Sequence, residues 1–223
     1  MKFRRILILA ACAPALWAQV AADANAHYQT AEGRKSIAAN LASPDRDATE
    51  RPEELVEAMA IKPGMTVADI GTGVGYMLPY LSRAVGPSGH VLAEDIFDDF
   101  LAVARQRAAD QKLANVTFIK GTETDPHLPA GGVDVILALD SYHHYNYPDQ
   151  MLAGFRRALK ATGRLVIVEY YKRPDAMAGG QAMRHIRLDQ PDLVKEVEGG
   201  RFHLLSKQDI LPGKQYLVTF ARQ

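Results

Sequence analysis

Between residues 65 and 170 short apolar runs alternate with longer amphipathic stretches. Met65 to Ile70, Val91 to Ile96, Val116 to Ile119, Val133 to Leu139 and Leu165 to Tyr170 are of strand length, and turn residues bound them. Between them, helices are predicted at Tyr76 to Val85, at Phe97 to Leu113 (apolar at Phe100, Leu101, Val103, Ala104, Ala108), and through Met151, Leu152, Phe155, Ala158 and Leu159. Thr162-Gly163 is expected to end the last of these. Upstream, Tyr28, Ala31, Ile37, Ala38 and Leu41 predict a helix over 28–42, stopped by Ser43-Pro44-Asp45. A second starts near Arg51-Pro52, where proline suits the first turn, and runs through Leu55, Val56 and Met59. Strictly alternating strands and helices require right-handed crossovers and a parallel sheet covered on both faces. After a helix near Pro191 to Val197, the runs Phe202 to Ser206 and Tyr216 to Ala221 are joined through Pro212-Gly213 with no helix between, so they should pair antiparallel. The expected fold is therefore α/β and doubly wound, with a mostly parallel seven-stranded sheet, a C-terminal antiparallel hairpin and helices on both faces.

The N-terminus follows a different pattern. Lys2, Arg4 and Arg5 precede the uncharged stretch Ile6 to Ala18, the order of a secretory signal peptide and too short for the roughly 20 residues of a membrane span. Cleavage after Ala18 or Ala24 fits, and would place the folded part in the periplasm or outside the cell. Leu9-Ala10-Ala11-Cys12 also resembles a lipoprotein cleavage site, so membrane attachment is expected only if Cys12 is lipidated. The division is then a signal peptide at 1–18, a linker and N-terminal helices at 19–62, and one domain at 63–223. Across 223 residues, 26 basic groups balance 26 acidic ones without a long run of either sign, which disfavours a nucleic-acid partner. A single cysteine excludes an intrachain disulfide and a multi-cysteine zinc site.

Asp69-Ile70-Gly71-Thr72-Gly73-Val74-Gly75 closes the first strand and opens the next helix. Glycines there let the backbone turn sharply and let a ligand approach it, beside the free N–H groups of a helix start. Glu94-Asp95 ends the second strand, where a carboxylate in a doubly wound fold accepts hydrogen bonds from ribose hydroxyls. The ligand is thus expected to be a nucleoside. The last glycine falls one residue early for a dinucleotide fingerprint, since Tyr76 occupies its place, and no Gly-Lys-Ser/Thr follows for a phosphate loop.

With these residues in order, the chain resembles the class I S-adenosylmethionine-dependent methyltransferases over residues 63–223. VADIGTGVG is similar to their first motif, GHVLAEDI to the segment after it, VDVILALDSYHH to the fourth motif, and LKATGRLVIVEY to the segment before the terminal hairpin. The resemblance implies a Rossmann-like domain and S-adenosylmethionine as cofactor. It implies that Asp69 holds the amino-acid end and that Gly71, Thr72, Gly73 and Gly75 line the passage around sugar and methionine chain. Asp95 would bind the ribose, with Ile96 beside the adenine. Thr122 and Glu123 follow the third strand where the family contacts adenine, Thr122 standing where an Asp is common. Asp140 would end the fourth strand near the sulfonium.

Methyl transfer needs alignment above all, and a proton acceptor only for a weak nucleophile. Tyr142, His143, His144 and Tyr145 fall nearest the expected methyl, with His143 and Tyr142 the candidates for a catalytic role. Against this, neighbours on an extended segment point to opposite faces, so the cluster is expected chiefly to pack the loop. His143, His144 and Asp140 do not make a recognisable metal shell, and no metal is expected; His185 and His203 read as isolated. The function expected is an exported methyltransferase acting on a small molecule. A non-catalytic nucleoside-binding or interaction module is the alternative, and a nicotinamide-dependent oxidoreductase is disfavoured by the misplaced glycine.

Overall fold

The computed structural model describes residues 20–43 and 45–223. The leader expected at 1–18, with Cys12, and the helix stop at Pro44 lie outside them. Among the described residues no helix is long and apolar enough to cross a membrane.

The chain runs α1 (Ala31–Leu41), α2 (Arg46–Glu50), α3 (Pro52–Ala58), β1 (Thr66–Ile70), α4 (Leu78–Val85), β2 (His90–Asp95), α5 (Asp98–Asp110), β3 (Val116–Lys120) and β4 (Val133–Leu139). It continues with α6 (Pro148–Ala158), β5 (Leu159–Tyr170), α7 (Ala182–His185), α8 (Gln190–Gly199), β6 (Phe202–Leu211) and β7 (Gln215–Arg222). Local chemistry starts several helices: the Thr30 side chain accepts from Gly33 N–H to cap α1, and proline occupies the first turn of α3, α4, α6 and α8.

The strands form one seven-stranded sheet in the order β3-β2-β1-β4-β5-β7-β6. β1 to β5 pair parallel, while β7 lies antiparallel to both β5 and β6. Successive side chains of the central strands go to opposite faces. Val67, Val135, Leu137, Val166 and Val168 pack under α3 and α4, whereas Ala68, Ile136, Ala138, Leu165 and Ile167 pack under α6 and α8. Chain direction across the sheet reverses between β1 and β4, and a doubly wound sheet binds its ligand at the carboxyl ends of the strands beside such a reversal.

Two local readings change. Residues 46–50 form the short α2, which lacks an apolar repeat to announce it. The helix expected to reach Thr162-Gly163 instead stops at Ala158, because Leu159 already pairs with Val133 as strand. The ladder then slips before Arg164 pairs with Val135, and Gly163 sits so close that a side chain there would meet the Val133 carbonyl oxygen at 2.9 Å.

Candidate active site

The turn after β1 is built on backbone amides and carboxylates. Thr72 N–H donates to the Glu94 carbonyl at 2.8 Å, and Thr72 Oγ1 donates to Asp69 Oδ2 at 2.7 Å. Gly73 has a φ of +56°, a conformation that side chains with Cβ resist, and its N–H donates to Asp95 Oδ2 at 2.9 Å. Asp95 Oδ1 accepts from Phe97 N–H at 2.9 Å, so the carboxylate is fixed from both sides at the end of β2. Glu94 accepts from Gly71 N–H at 3.3 Å through Oε2, while its buried Oε1 has no hydrogen-bond partner. A side chain at Gly121 would collide with that oxygen, which explains the glycine after β3.

These groups open onto a cavity of about 300 Å³. Asp69, Gly71, Thr72 and Gly73 line it at the turn, Asp95 and Ile96 at the end of β2. Thr122 and Glu123 reach it after β3, and Asp140 at the end of β4. The Thr122 hydroxyl is engaged with its own loop, accepting from Asp125 N–H at 2.9 Å; Glu123 instead faces Asn146, which donates to it at 3.1 Å. Gly75 does not line the cavity. It packs between the start of α4 and α5, where an added Cβ would stand 2.8 Å from Leu78 Cδ1 and 3.1 Å from Ala104 Cβ, so this glycine serves packing beneath the turn.

Burial raises Asp69 and Asp95 to about 6 and pushes Glu94 well above the carboxylate range. Three buried carboxylates, one with an unpartnered oxygen, suit a ligand bringing positive charge and hydroxyl donors. S-adenosylmethionine has both, as sulfonium, ammonium and ribose, so this part of the cavity fits that cofactor.

The other end of the cavity lies above β4 and β5. Asp140 has a φ of +48° and accepts from Gln215 Nε2 at 2.9 Å; the same amide nitrogen reaches Glu50 Oε2 at 3.3 Å. Residues Tyr142–His144 coil into one turn of 3-10 helix, not the extended segment expected, and this turn brings the rings of His143 and His144 within 4.1 Å between centroids. His143 Nδ1 lies 2.8 and 2.9 Å from the carboxylate oxygens of Glu169, and its backbone N–H donates to Glu169 Oε1 at 3.0 Å. Its Nε2 lies 3.0 Å from Nε2 of His185, which is therefore not isolated. Burial holds the His143 and His144 rings well below the usual histidine range, with His185 and Arg187 adding to the effect on His143, and His143 and His185 to that on His144. Tyr142 turns the other way: its hydroxyl donates to Glu196 at 2.8 Å, outside the cavity lining. His203 is exposed on β6, as read.

The N-terminal segment supplies groups that its linker-like composition concealed. Tyr28 stacks on Phe97 with centroids 5.8 Å apart and meets the His144 ring at 4.7 Å, and Asn25 bonds the His144 carbonyl and Nδ1, each at 2.8 Å. Arg46 from α2 lies over the Tyr76 ring and 3.8 Å from Glu50. Glu169 had left one signal, a lone carboxylate within the apolar run of β5.

A reversed C-terminal hairpin on a parallel sheet, with a glycine turn ringed by buried carboxylates, defines a nucleoside-binding α/β domain of the methyltransferase type. Residues 61–211 match the family described as "Methyltransferase domain". The chain belongs to this family, the S-adenosylmethionine-dependent methyltransferases. It is 34% identical over 125 residues to the ubiquinone/menaquinone biosynthesis C-methyltransferase UbiE of Azotobacter vinelandii, covering 56% of this chain and 49% of that protein. The UbiE of Pseudomonas putida is 31% identical over 118 residues, covering 52% and 46%. The chain thus spans about half the length of the curated relatives it matches. A crystal structure of a SAM dependent methyltransferase from Aquifex aeolicus superposes with a TM-score of 0.76 at 26% identity, covering 83% of this chain and 96% of that one.

Proposed function

We propose that the protein is an exported enzyme that transfers the methyl group of S-adenosylmethionine to a small molecule held at the β4–β5 end of the cavity. The observation that carries this reading is the continuity of one cavity from the Asp95 carboxylate to His143 and His144. Bound S-adenosylmethionine supplies an electrophilic methyl, whose bond electrons remain on sulfur as the methyl passes to the acceptor. Asp95 takes the ribose hydroxyls, Asp69 the charged amino-acid end, and Glu123, which lines the cavity after β3, the adenine amine. Asp140 and Glu50 add negative charge near the sulfonium. Tyr28 closes the cavity over the donor, and exclusion of water there strengthens each charged contact.

Balanced charge on the chain favours a small acceptor over nucleic acid. Relatives named for ubiquinone and menaquinone biosynthesis favour an acceptor related to those quinones. Export rests on the basic residues Lys2, Arg4 and Arg5 before Ile6 to Ala18, and cell fractionation with N-terminal sequencing tests it. For the activity, calorimetric titration with S-adenosylmethionine, S-adenosylhomocysteine and NAD is decisive. Binding of the first two without NAD is expected; binding of none of them would favour an interaction module on the same fold.

A further inference from the structure

Three histidines that methyl transfer leaves without a task meet at the acceptor end of the cavity. His143 and His144 come from the turn after β4 and His185 from the last residue of α7, far apart in sequence. One ring nitrogen of each lies within 4.8 Å of the others, and all three residues line the cavity. We propose that His143, His144 and His185 bind a divalent transition-metal ion of the zinc type, with a coordination position left open to the acceptor's hydroxyl.

The donor set and its supports point this way. Imidazole suits zinc, copper, iron and nickel, and three protein ligands with an open fourth place are the pattern of a catalytic zinc site. A ligating histidine is commonly oriented through its other ring nitrogen by a carboxylate or an amide oxygen. Both residues of the turn are held in this manner. His143 Nδ1 rests on Glu169 at 2.8 Å, and His144 Nδ1 lies 2.8 Å from Asn25 Oδ1, the Asn25 amide being fixed by its Nδ2 bond to the His144 carbonyl. That leaves His143 Nε2 directed at His185 Nε2, 3.0 Å away, and His144 Nε2 in a long contact of 3.4 Å with the Tyr28 hydroxyl.

Metal–nitrogen bonds of about 2.0–2.1 Å in a tetrahedron set ligand nitrogens roughly 3.4 Å apart. The spread of 3.0 to 4.8 Å brackets that spacing, and half-buried His185 on a helix of 4 residues is the ligand with room to adjust. An ion held by these three residues would leave its fourth position for an oxygen of the acceptor, orienting it beside the methyl donor. This role rests on the methyltransferase reading; metal binding is a separate equilibrium.

The test is titration of the full chain, freed of any polyhistidine tag and stripped with chelator, with Co²⁺, followed by Zn²⁺ competition. One equivalent of Co²⁺ is expected to give the visible absorption of a tetrahedral nitrogen site, to be displaced by Zn²⁺, and to shift on adding azide as a probe ligand. His185→Ala and His144→Ala should each weaken binding at least tenfold, Glu169→Gln about 10–100-fold, while exposed His203→Ala leaves it unchanged. Absence of the spectrum, or its persistence at wild-type affinity in both His144→Ala and His185→Ala, overturns the site. A spectrum indifferent to saturating azide overturns the open position. S-adenosylhomocysteine binding measured on the same samples separates the two readings: nucleoside binding without Co²⁺ binding defeats the metal site alone, and the converse defeats the methyltransferase reading.

Discussion

The two ends of the cavity are built differently. The donor end, around Asp69 to Gly73 and Asp95, is made by contiguous chain: a turn, the ends of two adjacent parallel strands, and backbone N–H groups that clamp carboxylates. The acceptor end is assembled from Asn25, Glu50, His143, Glu169, His185 and Gln215, carried by separate elements and joined by side chains. On the proposed reading a local backbone device sets what binds as donor, and residues distant in sequence set what stands opposite the methyl. The acceptor end can therefore change without disturbing the donor end.

Breaking the donor end should have the largest effect. Gly73→Val places a β-branched residue at φ +56° and 3.1 Å from Leu41 Cδ1, strain on the order of 1–3 kcal/mol beside the N–H that holds Asp95. S-adenosylmethionine affinity should fall about 10–100-fold by calorimetry, a change that His185→Ala at the other end should not produce. Gly75→Ala sharpens the contrast within one motif. Because Gly75 packs on Ala104 and lies outside the lining, it should lower stability by about 1–3 kcal/mol in denaturant unfolding, with far less loss of affinity than Gly73→Val.

Acidity gives a further expected difference. Burial raises Asp69 and Asp95 to about 6, above their unfolded range, and on the proposed reading the ionised Asp69 holds the ammonium group while the ionised Asp95 accepts from the ribose hydroxyls. Affinity for S-adenosylmethionine should thus fall from pH 7 to pH 5 by about tenfold for each carboxylate that binds ionised. By the same shift these two groups make the ligand-free protein less stable as pH rises from about 4 through 6, because the folded state retains protons that the unfolded chain has released. Thermal unfolding with and without ligand across that range checks both signs. The smallest effect belongs to Tyr142→Phe: losing the Glu196 hydrogen bond should reduce stability by about 1 kcal/mol and leave kcat unchanged, since that hydroxyl faces away from the cavity.

The same division decides what the sequence revealed. Strand runs, the hairpin and the glycine turn were legible because period-two apolarity and turn chemistry are local signals, and the position of Asp95 at the end of β2 beside the turn was legible because one strand–helix–strand unit sets its distance. Gly75 lies outside the cavity lining, and in the sequence a glycine that permits close helix packing looks the same as one that admits a ligand. His143 and His144 were expected on opposite faces because nothing in Ser141 to Tyr145 announces a 3-10 turn, whose closing bond runs from His144 N–H to the Ser141 carbonyl. His185 and Tyr28 gave no signal, since their meeting with His144 depends on the packing of α7 and the N-terminal segment over the finished sheet.

Side-by-side titration of S-adenosylhomocysteine into the Asp95→Ala and His144→Ala proteins tests the central claim most directly. A loss of about 10–100-fold in Asp95→Ala, as for a hydrogen-bonded charged group, with affinity kept in His144→Ala, is the predicted result. Wild-type affinity in Asp95→Ala would contradict it.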